Sequence, residues 1–172
     1  MSPAFATFAP DVRGVSDARV VIREAQTSDA SAIARVDATR GPLPPGHLAR
    51  VLAQINGPAT HRVVAVLDGT VVGSCMTMTW SGHADAPDGY YIAGVTVDPG
   101  FRRRGIGDRL VEALLTWIWR RSDRAWSVIN AQNGPSLALH RCRGFAQVAT
   151  GSTFAGIWFT GGCGVLLRAD RP

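Results

Sequence analysis

The sequence predicts one mixed α/β domain, because strand-like and helix-like segments alternate along its 172 residues. Three observations carry this prediction. Asp68-Gly69 stands between two β-branched runs, as in a hairpin turn; residues 90–97 resemble a strand; and apolar residues recur at helical spacing over residues 106–118. A chain of this length fits one core. We therefore expect residues 19–172 to form the domain and residues 1–18 to form a flexible N-terminal tail.

The first half of the chain predicts strands and two short helices. Residues 19–24 predict the first strand, and the capping residues 27–29 (TSD) predict a helix that runs through residue 36. Residues 41–46 (GPLPPG) exclude regular structure, because proline removes a backbone donor, and a second helix is expected at residues 47–55. The hairpin strands then cover residues 62–67 and 70–80.

The second half begins with the strand 90–97, which stops at Asp98-Pro99-Gly100. The helix that follows carries its apolar residues on one face, at Ile106, Leu110, Val111, Leu114 and Ile118. A further strand is predicted at residues 125–129, a short helix from Pro135 to Leu139 with Gly144 as its stop signal, and closing strands at residues 145–150 and 164–168.

Composition narrows the class of protein. Hydrophobic residues make up 46% and charged residues 18%, and no apolar run reaches the ~18 residues of a membrane helix. The N-terminus lacks the features of a secretion signal, so we expect a soluble, cytoplasmic protein without a membrane partner. Cys75, Cys142 and Cys163 form no CxxC pair, and we expect neither a metal site nor a disulfide framework, but small buried thiols.

The chemistry is concentrated at residues 102–107, where a strand, a loop with two glycines and a long helix follow one another. The net charge is +5, and Arg102, Arg103 and Arg104 form the one run of three consecutive basic residues. A helix start exposes backbone N–H groups and carries partial positive charge, so it holds phosphate well. At Gly105 and Gly107 no side chain stands between the backbone donors and the phosphates. The pattern predicts a diphosphate-binding site.

Two common phosphate motifs do not match this loop. A dinucleotide fingerprint requires a third glycine where this chain has Leu110, and a P-loop requires a lysine, which this chain lacks throughout. The segment Arg102-x-x-Gly105-x-Gly107, placed after Val-Asp-Pro, resembles the acyl-CoA signature of the GNAT N-acetyltransferase superfamily. A second segment, Asn133-x-x-Ser136-x-x-Leu139-His140-x-x-x-Gly144-Phe145, is similar to that family's Asn…Leu-Tyr-x-x-x-Gly-Phe pattern.

The resemblance implies a fold and a set of roles. It implies a central, mostly antiparallel sheet of six or seven strands, about four helices, and a splayed parallel strand pair that holds acetyl-CoA. The oxyanion would be stabilised by a backbone N–H near Val97. Members of the family often form dimers, so the resemblance allows a homodimer, but it does not determine the oligomeric state. The residues that would bind acetyl-CoA are Val95, Thr96, Val97, Arg102, Arg103, Arg104, Gly105, Ile106, Gly107, Asp108, Asn133 and Ser136.

His140 stands where the family usually has tyrosine, as in members related to phosphinothricin acetyltransferases. A protonated histidine there would donate a proton to the leaving thiolate, whose pKa is about 8.5, and the same ring also has the chemistry of a base. The alternative is a buried polar residue without chemistry. The general base is unassigned, and the candidates besides a water relay are His83, Asp85, Asp88, Tyr90 and Tyr91.

The acceptor is expected to be a small-molecule primary amine. Its pocket is predicted to lie among residues 39–46, 81–89 and 150–164, with Trp80, Tyr90, Phe154 and Trp158 as aromatic walls. Two rival functions remain open: an acyl-CoA-binding protein without transferase activity, and a basic nucleic-acid-binding protein. The second is disfavoured because Trp117 and Trp119 fall inside the long helix, where packing is more typical than base stacking.

Overall fold

The computed structural model describes residue 5 and residues 15–172. Most of the predicted tail therefore falls outside the described residues, and the boundary at residue 18 stays a prediction. The strands are β1 (Val21–Glu24), β2 (Thr60–Leu67), β3 (Thr70–Trp80), β4 (Gly89–Val97), β5 (Arg124–Asn130), β6 (Ala146–Gly151), β7 (Thr153–Phe154), β8 (Ile157–Trp158) and β9 (Gly164–Asp170). The helices are α1 (Ala30–Ala38), α2 (His47–Asn56), α3 (Ile106–Ile118) and α4 (Gly134–Cys142).

Seven of the strands form one sheet in the order β1-β2-β3-β4-β5-β9-β6. The β4–β5 pair is parallel, and the other neighbouring pairs are antiparallel. Parallel strands need a crossover connection, and α3 supplies it between β4 and β5. The mostly antiparallel sheet, the parallel pair and the four helices confirm the predicted fold class.

The sheet is covered on both faces. Ile33 and Val36 of α1 and Val51 of α2 are fully buried in one core with Val64 and Val71 of the sheet. On the other face, α3 packs against a larger core. The apolar spacing predicted for α3 is confirmed, because five residues at that spacing are at most 2% exposed: Ile106, Leu110, Val111, Leu114 and Ile118.

Sequence reasoning missed one element, the small β7–β8 hairpin, which lies in the stretch interpreted as a glycine-rich connection. Its turn places Ala155 (φ 49°) and Gly156 (φ 75°) both in the left-handed region. A two-residue turn of this kind normally carries Asn or Asp at its first position. Alanine there removes the sequence signal, and the strands are only two residues long.

Candidate functional site

The parallel strands β4 and β5 pair over a short distance and then separate. Their paired positions are Tyr90 with Ala125 and Tyr91 with Trp126. At the next position the hydroxyl of Ser127 donates a hydrogen bond to the carbonyl oxygen of Ile92 at 3.1 Å. Beyond this contact a cavity of about 260 Å³ lies between the two strands. The structure thus contains the splayed strand pair that the sequence predicted.

The cavity is lined by six parts of the chain. Strand β4 contributes residues 92–95 and β5 contributes residues 127–130. Helix α4 and the residue before it contribute Asn133, Ser136 and His140, while Arg40 and residues 158–160 come from segments distant in sequence. Phe5 also borders the cavity. The second predicted signature and the splayed strands therefore meet at one place, as the resemblance implies.

A β-bulge shapes the wall that β4 provides. Strand β3 pairs Ser74 with Thr96 and Met76 with Ala93, so two residues of β4 lie opposite Cys75. Gly94, one of these two, has φ 66°, and a side chain there would be strained. Bulges of this kind re-aim backbone groups beside binding sites.

The three predicted strand residues occupy different environments. Val95 lines the cavity, whereas Thr96 is 3% exposed and its hydroxyl donates to the carbonyl oxygen of Gly94 at 3.2 Å. Val97 packs against the core under α3, and its carbonyl oxygen accepts a hydrogen bond from Nε of Arg102 at 3.2 Å. Of these three residues, Val95 is the one whose side chain lines the cavity. Any contact of Thr96 or Val97 with acetyl-CoA would therefore come from their backbone.

The loop before α3 has the backbone geometry of an anion site. Arg103 (φ 64°) and Gly105 (φ 70°) both lie in the left-handed region, directly before the right-handed helix. Left-handed residues followed by right-handed ones curl successive N–H groups toward one point. Within the described part of the chain, the amides of residues 105–108 have no acceptor. Together with the partial positive charge of the α3 N-terminus, they can hold a phosphate group.

Arg102 and Arg104 each contact neighbouring groups of the chain. Arg102 bonds to the β4 backbone, as described above, and Nη1 of Arg104 lies 3.5 Å from Oδ2 of Asp17. The Arg104 guanidinium also lies over the ring of Phe101, 5.4 Å from its centroid. These contacts fix the two side chains near the loop, where their charges add to the positive potential.

Gly107 and Asp108 also have packing roles. A Cβ added at Gly107 would lie 3.4 Å from Cδ2 of Leu139, a van der Waals distance, so α3 and α4 lie close together at this position. Sequence reasoning had assigned this glycine to phosphate access alone. Asp108 accepts hydrogen bonds from Nε and Nη2 of Arg143, which follows α4, and these bonds join the start of α3 to the end of α4.

Helix α4 begins with a side-chain cap that also borders the cavity. Oδ1 of Asn133 accepts a hydrogen bond from the amide of Ser136 at 3.2 Å, which satisfies one of the free donors of the first turn. Both residues line the cavity. The capping interpretation and the cofactor interpretation of Asn133 are therefore compatible, because Oδ1 makes the cap and Nδ2 remains available as a donor.

His140 lies one turn further along α4 and is 1% exposed. Burial lowers the pKa of His140 below its ordinary value, and the hydrogen bond to the carbonyl oxygen of Ser136 opposes this shift. The ring is therefore neutral at pH 7. Since Nδ1 lies 2.8 Å from that carbonyl oxygen, Nδ1 carries the proton and donates it. Nε2 is left with a lone pair and has no hydrogen-bond partner in the described part of the chain.

The side chains predicted as candidates for the general base do not line the cavity. The hydroxyl of Tyr91 donates to the carbonyl oxygen of Pro87 at 2.7 Å, and burial raises the pKa of Tyr91 to about 12. Asp85 accepts from the amide of Ala155 at 2.9 Å, which ties its loop to the β7–β8 hairpin. The remaining candidates lie outside the cavity lining: His83, Asp88 and Tyr90. Among the described residues that line the cavity, His140 is the one side chain of a type whose ordinary pKa lies near neutral pH.

The predicted acceptor loops contribute unequally. Residues 39–46 reach the cavity through Arg40, and residues 150–164 reach it through Trp158, Phe159 and Thr160, whereas residues 81–89 do not line it. Of the four predicted aromatic walls, Trp158 lines the cavity and is 79% exposed. The other three pack elsewhere: Trp80 stacks on Tyr91, Tyr90 packs edge-on against Trp117, and Phe154 is buried in the core beside Trp126. Arg40 and Phe159 belong to the predicted acceptor loops but were not singled out, and among the polar lining residues Ser127 and Asn130 were not predicted.

The other sequence-based expectations concern cysteines, metals and membranes. Cys75 is buried, Cys163 is partly buried and Cys142 is exposed, so the expectation of three buried thiols was wrong for Cys142. In residue 5 and residues 15–172, no group of three His, Cys, Asp or Glu side chains is arranged to hold a metal. Over the same residues, no helix has the length and apolarity needed to cross a bilayer.

This fold and candidate site have the architecture of an acyltransferase, with a splayed parallel strand pair and a helix start suited to a phosphate group. The sequence profile of the acetyltransferase (GNAT) family matches residues 29–145. The chain therefore belongs to the GNAT family of acetyltransferases, which confirms both the predicted superfamily and the predicted class of enzyme.

Individual relatives show how wide this family is. The chain is 27% identical to the L-amino acid N-acetyltransferase AaaT of Escherichia coli over 148 residues, which cover 79% of this chain and 88% of the relative. It is 35% identical over 107 residues to the N-alpha-acetyltransferase RimI of Mycobacterium tuberculosis, covering 62% of this chain and 63% of the relative. Its fold is similar to a crystal structure of a phosphinothricin acetyltransferase from Sinorhizobium meliloti in complex with acetyl-CoA, with a TM-score of 0.72, 20% identity and 89% of each chain covered.

Proposed function

We propose that this protein transfers the acetyl group of acetyl-CoA to the primary amine of a small molecule that carries a carboxylate. The observation that carries the proposal is the cavity between β4 and β5, which is bordered by the neutral His140 and by β4, the strand that leads to the loop before α3. The thioester arm would lie between the strands, and the pyrophosphate would accept hydrogen bonds from the amides of residues 105–108.

In this proposal His140 acts first as a base and then as an acid. Nε2 accepts the proton that the amine loses as it attacks the thioester carbonyl, because Nδ1 already donates to Ser136. The resulting imidazolium returns that proton to the departing sulfur, whose thiolate has a pKa of about 8.5. The two transfers leave His140 neutral again, so one side chain supports both steps.

Arg40 supports a carboxylate-bearing acceptor. Of the described side chains that line the cavity, Arg40 carries the one permanent positive charge. A guanidinium pairs with a carboxylate through two parallel hydrogen bonds, which orients a small substrate as well as binding it. The relative AaaT, which is named for L-amino acids, agrees with this substrate class.

A second candidate acceptor is the N-terminal amine of a protein. The RimI relative is named for N-alpha-acetylation, and the exposed indole of Trp158 at the cavity offers a surface for a peptide backbone. A peptide acceptor would place an amide where a free amino acid has its carboxylate. Arg40 would then have no anionic partner in the acceptor.

The test is thiol release from acetyl-CoA with a panel of free L-amino acids, their amides and short peptides. We expect turnover with free amino acids and at least tenfold lower kcat/KM with the matching amides, because the Arg40 pair is lost. Arg40→Gln should remove this preference. Arg50→Gln is the matched control, since Arg50 is an exposed arginine on α2 outside the cavity lining.

Two outcomes would contradict the proposal. Equal activity with acids and amides, or a preference for peptides, would replace the small carboxylate acceptor by a protein N-terminus. Saturable acetyl-CoA binding without thiol release from any amine would indicate a binding protein instead of an enzyme. A gel-shift assay in moderate salt tests the nucleic-acid alternative, because phosphate binding driven by charge alone weakens steeply as salt rises.

A further inference from the structure

Asp17, which lies just before β1, contacts the proposed phosphate-binding loop (residues 102–105) at two points and the first turn of α3 at a third. Its amide donates to the carbonyl oxygen of Arg104 at 3.3 Å. Its own carbonyl oxygen accepts from Nη1 of Arg109, on the first turn of α3, at 3.3 Å. Its carboxylate lies 3.5 Å from Nη1 of Arg104. A residue 87 positions away in sequence from Arg104 therefore holds both the loop and the helix start.

The first of these contacts determines the direction of a loop amide. A peptide unit is planar and trans, so the carbonyl of Arg104 and the N–H of Gly105 point in opposite directions. Because the Arg104 carbonyl is held toward Asp17, the Gly105 N–H is held away from Asp17. That N–H has no acceptor in the described part of the chain and belongs to the donor set of the phosphate site.

The Asp17 side chain holds its own backbone in place. Its Oδ1 accepts from the amide of Arg19 at 3.1 Å, and its Oδ2 accepts from Nη2 of the same residue at 2.9 Å. The amide of Val20 donates to the Asp17 carbonyl oxygen at 3.2 Å, which closes a turn. The side chain of Asp17 is 16% exposed and that of its partner Arg19 is 62% exposed, so solvent screens the charges of this pair and the turn depends mainly on these hydrogen bonds.

We propose that Asp17 is a positioning residue for the phosphate-binding loop: through Arg104 and Arg109 it holds the Gly105 amide in the direction required by the cofactor's pyrophosphate. This role rests on the proposed function, since it assumes that a phosphate-bearing cofactor occupies the loop. Asp17 does not touch the cofactor in this account. Asp17 lowers the entropic cost of ordering the loop when the pyrophosphate binds. It therefore favours only acetyl donors that carry a pyrophosphate.

The test compares two acetyl donors with the variant Asp17→Ala. Acetyl-CoA carries the pyrophosphate, and S-acetylpantetheine carries the same thioester arm without any pyrophosphate. We expect Asp17→Ala to raise the KM for acetyl-CoA about tenfold with little change in kcat, and to leave kcat/KM for S-acetylpantetheine within twofold. The control is Asp68→Asn, because Asp68 pairs with Arg19 at 3.1 Å but does not contact the loop.

Each outcome decides the question. An unchanged KM for acetyl-CoA overturns the positioning role, and a lowered KM would mean that Asp17 competes with the cofactor. Equal losses with both donors would mean general damage to the fold, and the same conclusion follows if Asp68→Asn behaves like Asp17→Ala. If Asp17→Ala does not fold, Asp17→Asn retains an oxygen for the Arg19 amide and should give a smaller rise restricted to acetyl-CoA. Failure of the wild-type protein to bind acetyl-CoA in calorimetry would overturn the proposed function, and the role of Asp17 with it.

Discussion

The hydroxyl of Ser127 on β5 bonds to the carbonyl oxygen of Ile92 on β4 at the position where the two parallel strands stop pairing. Ser127 is 2% exposed, so this bond is formed away from water. It replaces the next backbone bond of the ladder and sets where the strands begin to separate. The cavity starts at this contact.

Replacing Ser127 by alanine should therefore affect both stability and the donor site. The variant leaves the buried carbonyl of Ile92 without its partner, which costs about 1–3 kcal/mol of unfolding free energy. We expect a lower midpoint in urea and a KM for acetyl-CoA raised severalfold, measured by thiol release. An unchanged midpoint and an unchanged KM would show that the strands separate without this contact.

Variants of Asn133 separate its cap from its contact with the cofactor. Asn133→Asp keeps the oxygen that caps α4 and removes the Nδ2 donor, whereas Asn133→Ala removes both. We expect both variants to raise the KM for acetyl-CoA, but only Asn133→Ala should lose about 1 kcal/mol of stability. Normal kinetics in Asn133→Asp would restrict Asn133 to the structural role.

If His140 is the base, kcat should depend on pH. Because burial lowers the pKa of His140, the base form persists below the ordinary histidine pKa, and kcat should fall only at more acidic pH. His140→Asn retains a donor for the Ser136 carbonyl but lacks Nε2, so kcat should drop about 100-fold or more. Turnover within a few-fold of wild type, in this variant or in His140→Phe, would place the base elsewhere.

The same residue contributes to the pH dependence of stability. The pKa of His140 is lower in the folded than in the unfolded protein, so the unfolded chain binds more protons on acidification. The stabilisation is fully present above the unfolded pKa, about 6.5, and is lost as pH falls toward the folded pKa. Urea denaturation across this range should show a decline that His140→Asn reduces. An identical slope in the variant would contradict the assigned neutral state.

The cysteines should differ sharply in reactivity. Burial raises the pKa of Cys75 to about 12, and its thiol donates to the carbonyl oxygen of Ala93. Thiolates react and thiols do not, so native protein should be labelled at the exposed Cys142 first and at Cys75 only after unfolding. Mass spectrometry of the labelled protein checks the order. Early modification of Cys75 would mean that β3 and β4 open readily.

Local patterns predicted much of this molecule. The strand, the glycine loop and the amphipathic helix are adjacent in sequence, so residues 90–118 could be interpreted without tertiary information. The same holds for α4, whose cap and glycine stop lie within a dozen residues.

Residues that reach the site from distant parts of the sequence have no comparable local pattern. The loop 39–46 was expected at the acceptor pocket, but no local pattern singled out Arg40, which borders the cavity formed by β4, β5 and α4. The pairing of Asp17 with the loop likewise depends on the antiparallel return of β1 beside β2. Phe154 shows the opposite error, because an aromatic residue in a glycine-rich stretch resembles a pocket wall but packs in the core.

The most direct test of the central claim is an NMR titration of ¹⁵N-labelled protein with acetyl-CoA. We expect saturable shifts of the amides of Gly105, Gly107 and Asp108, together with those of Gly94 and Val95, and no shift at Gly57, which ends α2 on the other face of the sheet. Unchanged resonances of the loop amides, or chemical-shift changes that cluster away from the β4–β5 cavity, would contradict this site.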